Sequence, residues 1–238
     1  MNTVSIIGFG SFGAFLAEKL NDHLEVKVYS HSGKPNQWAT TLEDAAKADY
    51  LILSVPLETY RKVLEEIKPL LRPDTVIVDV CSVKEEPARI IQEILPLQPR
   101  VMTHPLFGPE SASDTLVGHT IVLCTDQSTN GSYADIKRFC ERLELKIIEL
   151  TSEEHDREIA VVQGLTFFVA RTLTHFGIHR QKLSTPSFAR LLHLAELEEH
   201  HSEDLFRTIQ QGNPYTEEMR NRFLAAANEI DARLKEVR

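Results

Sequence analysis

Residues 3–20 read TVSIIGFGSFGAFLAEKL: a short apolar run, a glycine turn and an amphipathic segment. Val4, Ile6 and Ile7 suit a buried parallel strand, and Gly8, Gly10 and Gly13 follow it at G-x-G-x-x-G spacing. Each glycine has its own task. The first permits the tight turn, the second lets a pyrophosphate approach the backbone, and the third lets a helix lie close to the strand. Phe15, Leu16 and Leu20 then recur at helical spacing, so the free N–H groups of that helix would face the phosphates. Strand, turn and helix in this order predict a dinucleotide site lined by Gly8, Phe9, Gly10, Ser11, Phe12 and Gly13.

Working outward, residues 25–29 (EVKVY) read as the second parallel strand. An acidic residue at its end would hydrogen-bond the ribose 2′-hydroxyl of NAD. The chain instead has Ser30, His31, Ser32, Gly33 and Lys34, with no carboxylate to repel a 2′-phosphate and several groups able to bind one. This favours NADP over NAD, with Ser30, His31, Ser32 and Lys34 as the discriminating residues. A short helix over residues 41–47, capped by Thr41, leads into a strand at 49–55. Pro56 ends that strand, and Val55 and Pro56 would border the cofactor. A helix at 58–71 and a strand at 75–80 (TVIVDV) follow. Strands alternating with helices imply βαβ units and a doubly wound, mostly parallel sheet of Rossmann type. Ligands of such a sheet lie outside the carboxyl ends of its strands.

Two segments after strands carry chemistry. One is Cys81, Ser82, Val83 and Lys84; the other is His104 with the Pro/Gly-rich loop that follows residues 100–103. A histidine at a strand tip is suited to proton transfer near neutral pH. Thr103 would orient His104 or simply pack in its strand. Residues 119–125 and 145–150 supply the last strands, and no strand pattern continues beyond residue 151. The expected division is a dinucleotide-binding domain at 1–151 and a smaller, all-helical domain at 152–238.

In the helical part, Thr151 and Glu154 form a capping box. Ile159, Val162, Leu165, Val169, Leu173 and Phe176 then predict a long, largely buried helix ending at Gly177. A helix over 187–197 runs into the acidic segment 196–204, read as a solvated helix end. His200 and His201 are adjacent and cannot share a helix face as metal ligands, so no metal site is expected. Asn213 and Pro214 are expected to open the final helix, whose stripe of Tyr215, Met219, Phe223, Ala226, Ile230, Leu234 and Val237 needs a partner. That partner is either the long helix of the same chain or a second copy across a two-fold axis. Arg190 and Arg207 are candidates to hold a carboxylate.

Composition excludes other classes. A 42% apolar and 26% charged chain of 238 residues is ordinary for a globular protein. A formal charge of −9 without clustered Lys and Arg argues against nucleic acid as a partner. Three cysteines without C-x-x-C spacing indicate neither a disulfide framework nor a zinc site. No basic leader follows Met1, and no apolar run is expected to approach the roughly 18 residues of a membrane helix. The expectation is a cytoplasmic protein acting on a small molecule.

The chain resembles the prephenate/arogenate dehydrogenase family of tyrosine biosynthesis. The motifs are GFGSFG at 8–13, DVCSVK at 79–84, THPLFGPES at 103–111 and EEHD at 153–156. The loop's Phe107–Gly108–Pro109 form and the SHS segment at 30–32 are most similar to plant-type arogenate enzymes that use NADP. The resemblance implies an oxidoreductase whose cyclohexadienol substrate loses hydride to nicotinamide and then carbon dioxide, becoming aromatic. It implies His104 as the catalytic histidine and Ser82 as the serine that orients it. Lys84, Glu110, Ser111, His155, Gln163 and Arg207 become candidate substrate contacts, and the helical domain a dimer interface. Many bacterial prephenate enzymes carry SHLPH in the long helix, where this chain has Gln163, Gly164, Leu165, Thr166 and Phe167. That departure leans toward arogenate, with prephenate as the alternative substrate. An imine-reductase-type enzyme would share the glycine turn without needing DVCSVK or the HPLFGPE loop. A nucleotide-binding regulatory protein without turnover is the reading from another class.

Overall fold

The structure, a computed structural model, describes residues 3–199 and 201–236; Met1, His200 and Val237 of the readings above lie outside them. It comprises two compact units, Met1–His155 and Asp156–Arg238. The division falls four residues beyond the expected boundary, inside a helix rather than before it.

The first unit is built on one seven-stranded sheet in the order β2-β1-β3-β4-β5-β6-β7. Its strands are β1 (Thr3–Ile7), β2 (Glu25–Tyr29), β3 (Tyr50–Leu53), β4 (Val76–Asp79), β5 (Arg100–Pro105), β6 (Thr120–Cys124) and β7 (Lys146–Leu150). β1 to β5 are parallel, and β6 turns antiparallel against β5 with His104 opposite Val122. The helices are α1 (Ser11–Asn21), α2 (Leu42–Ala45), α3 (Tyr60–Ile67), α4 (Glu85–Ile94) and α5 (Asn130–Arg142). Alternation along the strands sends side chains into two cores. Val4, Ile6, Ile52 and Val78 pack with Phe15 and Leu20 of α1 and Phe139 of α5. Ile7, Leu51, Leu53 and Ile77 pack with Tyr60 and Leu64 of α3 and Ile91 of α4 on the other face. Both faces are covered, which explains why the central strands are mostly apolar.

The expected helix at 58–71 is divided into a 3₁₀ turn (Leu57–Thr59), α3 and a second 3₁₀ turn (Lys68–Leu70), where Pro69 supplies no N–H to an α-helical ladder. α6 (Ser152–Ile159) opens with the capping box: Thr151 N–H donates to Glu154 Oε2 at 2.8 Å, and Glu154 N–H to Thr151 Oγ1 at 3.2 Å.

In the second unit the long helix is interrupted by a π-helical segment, Ala160–Leu165, before α7 (Thr166–Phe176) ends at Gly177 in the left-handed region. The stretch Ser152–Phe176 is long and apolar enough, by length and composition, to cross a membrane, contrary to the expectation that no apolar run approaches that length. Its charges are confined to the first two turns apart from Arg171. Core helices of soluble proteins share this composition, yet only 22% of the window is buried, so the expected burial is not met within one chain. Val161, Val162 and Phe176 are exposed.

α8 (Pro186–Glu199) and α9 (Glu203–Gly212) follow, the latter capped by Ser202 Oγ and absent from the sequence reading. α10 (Thr216–Glu236) starts two residues later than expected; Asn213 Oδ1 accepts the Tyr215 N–H at 2.9 Å and Asn213 Nδ2 donates to the Asp156 carbonyl at 2.7 Å. Its stripe is buried at Met219 and exposed at Ile230 and Leu234.

Candidate active site

The glycine turn separates steric need from open space. Gly8 has φ +108°, and a Cβ there would stand 2.1 Å from the Ser54 carbonyl oxygen. A Cβ on Gly13 would stand 2.2 Å from the Gly8 carbonyl oxygen. Both positions exclude any side chain. Gly10 differs, since a Cβ there meets nothing within 4 Å. Gly10 also precedes α1 without a side-chain cap, so the helix N-terminus is left to another acceptor. A dinucleotide's pyrophosphate fits that opening.

At the end of β2, Ser30 Oγ and Ser32 Oγ lie 2.9 Å apart and Lys34 Nζ lies 5.5 Å from the Phe9 ring centroid. Ser32 and Lys34 are exposed, and Ser30 half-buried. Val55 and Pro56 follow β3 at the same carboxyl edge, with Val55 Cγ1 beside Gly8.

Neighbouring strand ends carry the chemistry. β5 runs on through Pro105, so His104 stands at the strand tip as expected, one residue before the strand ends. Its ring is buried, and Nδ1 lies 2.8 Å from Nε2 of His155, which is also buried. The planes meet at 69° with centroids 5.1 Å apart. Burial first, then His155 and the Lys84 charge, hold His104 well below the usual histidine value, leaving it neutral. With Nδ1 engaged, Nε2 is the nitrogen left for a ligand.

The structure therefore changes several expected roles. His104 bonds to His155, not to Ser82, which is half-buried after β4. Thr103 does not orient the ring; its Oγ1 donates to the Asp79 carbonyl at 2.8 Å. Lys84 is not open to a substrate, because it is fully buried in an ion pair with Asp79 and donates to the Thr103 carbonyl at 2.5 Å. Ser111 Oγ accepts the Gly108 N–H at 3.1 Å and closes its own loop, while Glu110 is exposed beside it. Arg207 is exposed on α9 and paired with Glu203 at 3.2 Å, and Arg190 is exposed on α8. In the second unit Gln163 lies in the π-helical segment, with Oε1 buried and lacking a hydrogen-bond partner among the described residues. Among those residues no group of three or more His, Cys, Asp or Glu could hold a metal.

Asp79 and Tyr60 join the site through contacts that sequence spacing does not announce. A carboxylate closing the apolar run VIVD was the available signal, since a charge at a buried strand end needs a partner. Tyr60 Oη donates to Asp79 Oδ1 at 2.6 Å, a contact 19 residues apart that no local pattern announces.

Comparison with known proteins identifies the family. The family model described as "Prephenate dehydrogenase, nucleotide-binding domain" matches residues 31–149. Arogenate dehydrogenase 2, chloroplastic, of Arabidopsis thaliana is 28% identical over 230 residues, covering 89% of this chain and 64% of that protein. Arogenate dehydrogenase 1, chloroplastic, of the same plant is 29% identical over 251 residues, covering 97% of this chain and 39% of that protein. The chain thus spans less than two thirds of each. Among solved structures, prephenate dehydrogenase from A. aeolicus, in complex with hydroxyphenyl propionate and NAD+, superposes with a TM-score of 0.76 at 24% identity, covering 99% of this chain and 92% of that one. Synechocystis arogenate dehydrogenase gives 0.70 at 19% identity, covering 98% and 93%.

Proposed function

The chain belongs to the prephenate dehydrogenase family, and from that premise we propose that it oxidatively decarboxylates L-arogenate to L-tyrosine with NADP. The observation that carries the reading is the neutral, buried His104, anchored through Nδ1 and placed at the carboxyl edge that also bears the glycine turn.

The glycine turn, Ser30, His31, Ser32 and Lys34 would hold the cofactor, whose nicotinamide, when bound, takes up the hydride. The residues of the chain manage the proton and the geometry. His104 Nε2 accepts the substrate hydroxyl proton as the ring carbon gives up hydride. The carbon–carboxylate bond then breaks, its electron pair enters the ring as carbon dioxide leaves, and His104 returns its proton to the phenolate oxygen. His155 receives the Nδ1–H bond throughout and fixes which nitrogen faces the substrate. Mass and charge balance without another reactant: arogenate and NADP⁺ give tyrosine, carbon dioxide and NADPH.

NADP is favoured by the hydroxyls and ammonium after β2. Arogenate is favoured by the stretch 163–167, QGLTF, which lacks the histidines that many bacterial prephenate enzymes carry there. Prephenate remains the second reading, supported by the family name. The uncovered apolar residues of α7 and α10 support a homodimer through the helical unit.

The test follows NADPH absorbance on mixing the protein with NADP and L-arogenate, and separately with prephenate, each repeated with NAD. Turnover with arogenate and NADP is expected. Turnover with prephenate alone overturns the substrate assignment; tight NADP binding without turnover on either substrate favours a nucleotide-binding protein that performs no reaction.

A further inference from the structure

The buried charge beside His104 takes no proton in this scheme and needs its own account. Lys84, Asp79 and Tyr60 are completely buried. A buried ion pair is weak grounds for stability, since desolvation offsets much of the attraction. This one is nevertheless fully engaged. Asp79 Oδ1 accepts from Tyr60 Oη at 2.6 Å and from the Cys81 N–H at 3.1 Å, and Oδ2 accepts from Lys84 Nζ. Lys84 Nζ also reaches the Thr103 carbonyl at 2.5 Å, in the peptide that leads into His104. Thr103 Oγ1 returns to the Asp79 carbonyl. The ends of β4 and β5 and the starts of α3 and α4 are tied together one residue before the proposed proton acceptor.

We infer that Lys84 is a positioning residue: fixed by Asp79 and Tyr60, its side chain holds the Thr103–His104 segment and so sets the place and surroundings of the His104 ring. The inference rests on the proposed role of His104 as proton acceptor. Charged and titratable neighbours come from each element around that ring. Lys84 at α4 and His155 on α6 both oppose a positive charge on it. Asp79 on β4 is directed to Tyr60, the Cys81 amide and Lys84. Tyr60 on α3 stays protonated, pushed well up by burial and by Asp79. Cys124 on β6 is a neutral thiol, pushed up to about 12 by burial.

The experiment is a histidine side-chain NMR titration of the free protein, with His104 assigned by the signal lost in His104→Asn. Because the two rings share one hydrogen bond, the quantity read is the first protonation of the pair. In the native protein its midpoint is expected below about 6.5, the ordinary histidine value. Lys84→Met removes the cation, and Lys84→Met/Asp79→Asn removes it without stranding a buried carboxylate. In a folded variant the midpoint should rise by about one pH unit or more, a tenfold gain in proton affinity. The acid limb of kcat/KM should move the same way, with cofactor binding unchanged.

A folded variant with an unmoved midpoint overturns the inference. So does a native midpoint at or above about 6.5, a measurement that needs no variant to fold. An intact shift without turnover on either substrate counts against the proposed reaction and leaves the linkage of Lys84 to His104 standing.

Discussion

Replacing His155 with leucine tests whether the paired imidazoles act as a unit. Both rings are buried and meet through one 2.8 Å hydrogen bond. The proposed reaction needs the tautomer in which His104 Nδ1–H donates; leucine occupies comparable space but cannot accept, so that N–H loses its partner. An orphaned buried polar group costs about 1–3 kcal/mol. The ring can escape by moving its proton to Nε2, where it would offer the substrate hydroxyl a donor instead of a lone pair. If that cost falls on the reactive tautomer, kcat should fall by about 5- to 150-fold, taking 1.4 kcal/mol per factor of ten. Cofactor affinity should stay the same. The assay is steady-state NADPH formation with the accepted substrate, alongside NADP binding by fluorescence. His155→Gln, whose amide oxygen can accept, should recover part of the loss. A folded His155→Leu protein with kcat within about twofold of native would refute the pairing as an orienting device, as would equal loss in the leucine and glutamine variants.

Two further substitutions read the backbone. Gly10→Val should leave the melting temperature near native, since its Cβ meets nothing, while weakening NADP binding at least about tenfold; Gly13→Ala should impair folding itself, with its Cβ 2.2 Å from the Gly8 carbonyl oxygen. Calorimetry and cofactor titration separate the two effects. In the helical unit, a Cβ at Gly164 would lie 2.8 Å from Thr216 Cγ2, so Gly164→Ala should destabilise by about 1–3 kcal/mol in urea unfolding, and a neutral result would show that the Thr216 side chain gives way freely.

What could be read from the sequence was set by interactions local enough to leave a pattern. Gly8, Gly10 and Gly13 declare a turn because spacing and conformation are properties of a few neighbouring residues. β1, β3 and β4 declare themselves by predominantly apolar side chains, which a sheet covered on both faces favours. The Thr151–Glu154 box needed only three residues of separation. Lys84 illustrates the limit. Nothing near it says whether the side chain turns outward or back to Asp79, and the answer depends on the Thr103 carbonyl, brought alongside by β5. His104 and His155 are 51 residues apart, and their pairing depends on how α6 leaves β7. The helical unit was least legible. An apolar stripe specifies that a face wants covering, not what covers it, and the exposed Val161, Val162 and Ile230 mark where that inference stopped.

A histidine held neutral by a nearby cation looks poorly chosen as a base, because lowering its proton affinity weakens its pull on a hydroxyl. The proposed reaction alters that judgement. The hydroxyl proton leaves as the same carbon gives up hydride, so its acidity increases along the reaction coordinate and does not rest on the base alone. Loss of carbon dioxide then creates a phenolate, whose conjugate acid has a pKa of about 10. An imidazolium of reduced pKa returns its proton to that oxygen readily. The site consequently favours the second half of the proton's path, and it keeps His104 in the accepting form well into the acid range. A more basic histidine would be partly protonated near neutral pH and slower to give the proton back. Lys84 thus exchanges strength of abstraction for readiness and reversibility, an exchange available only where aromatisation supplies the driving force.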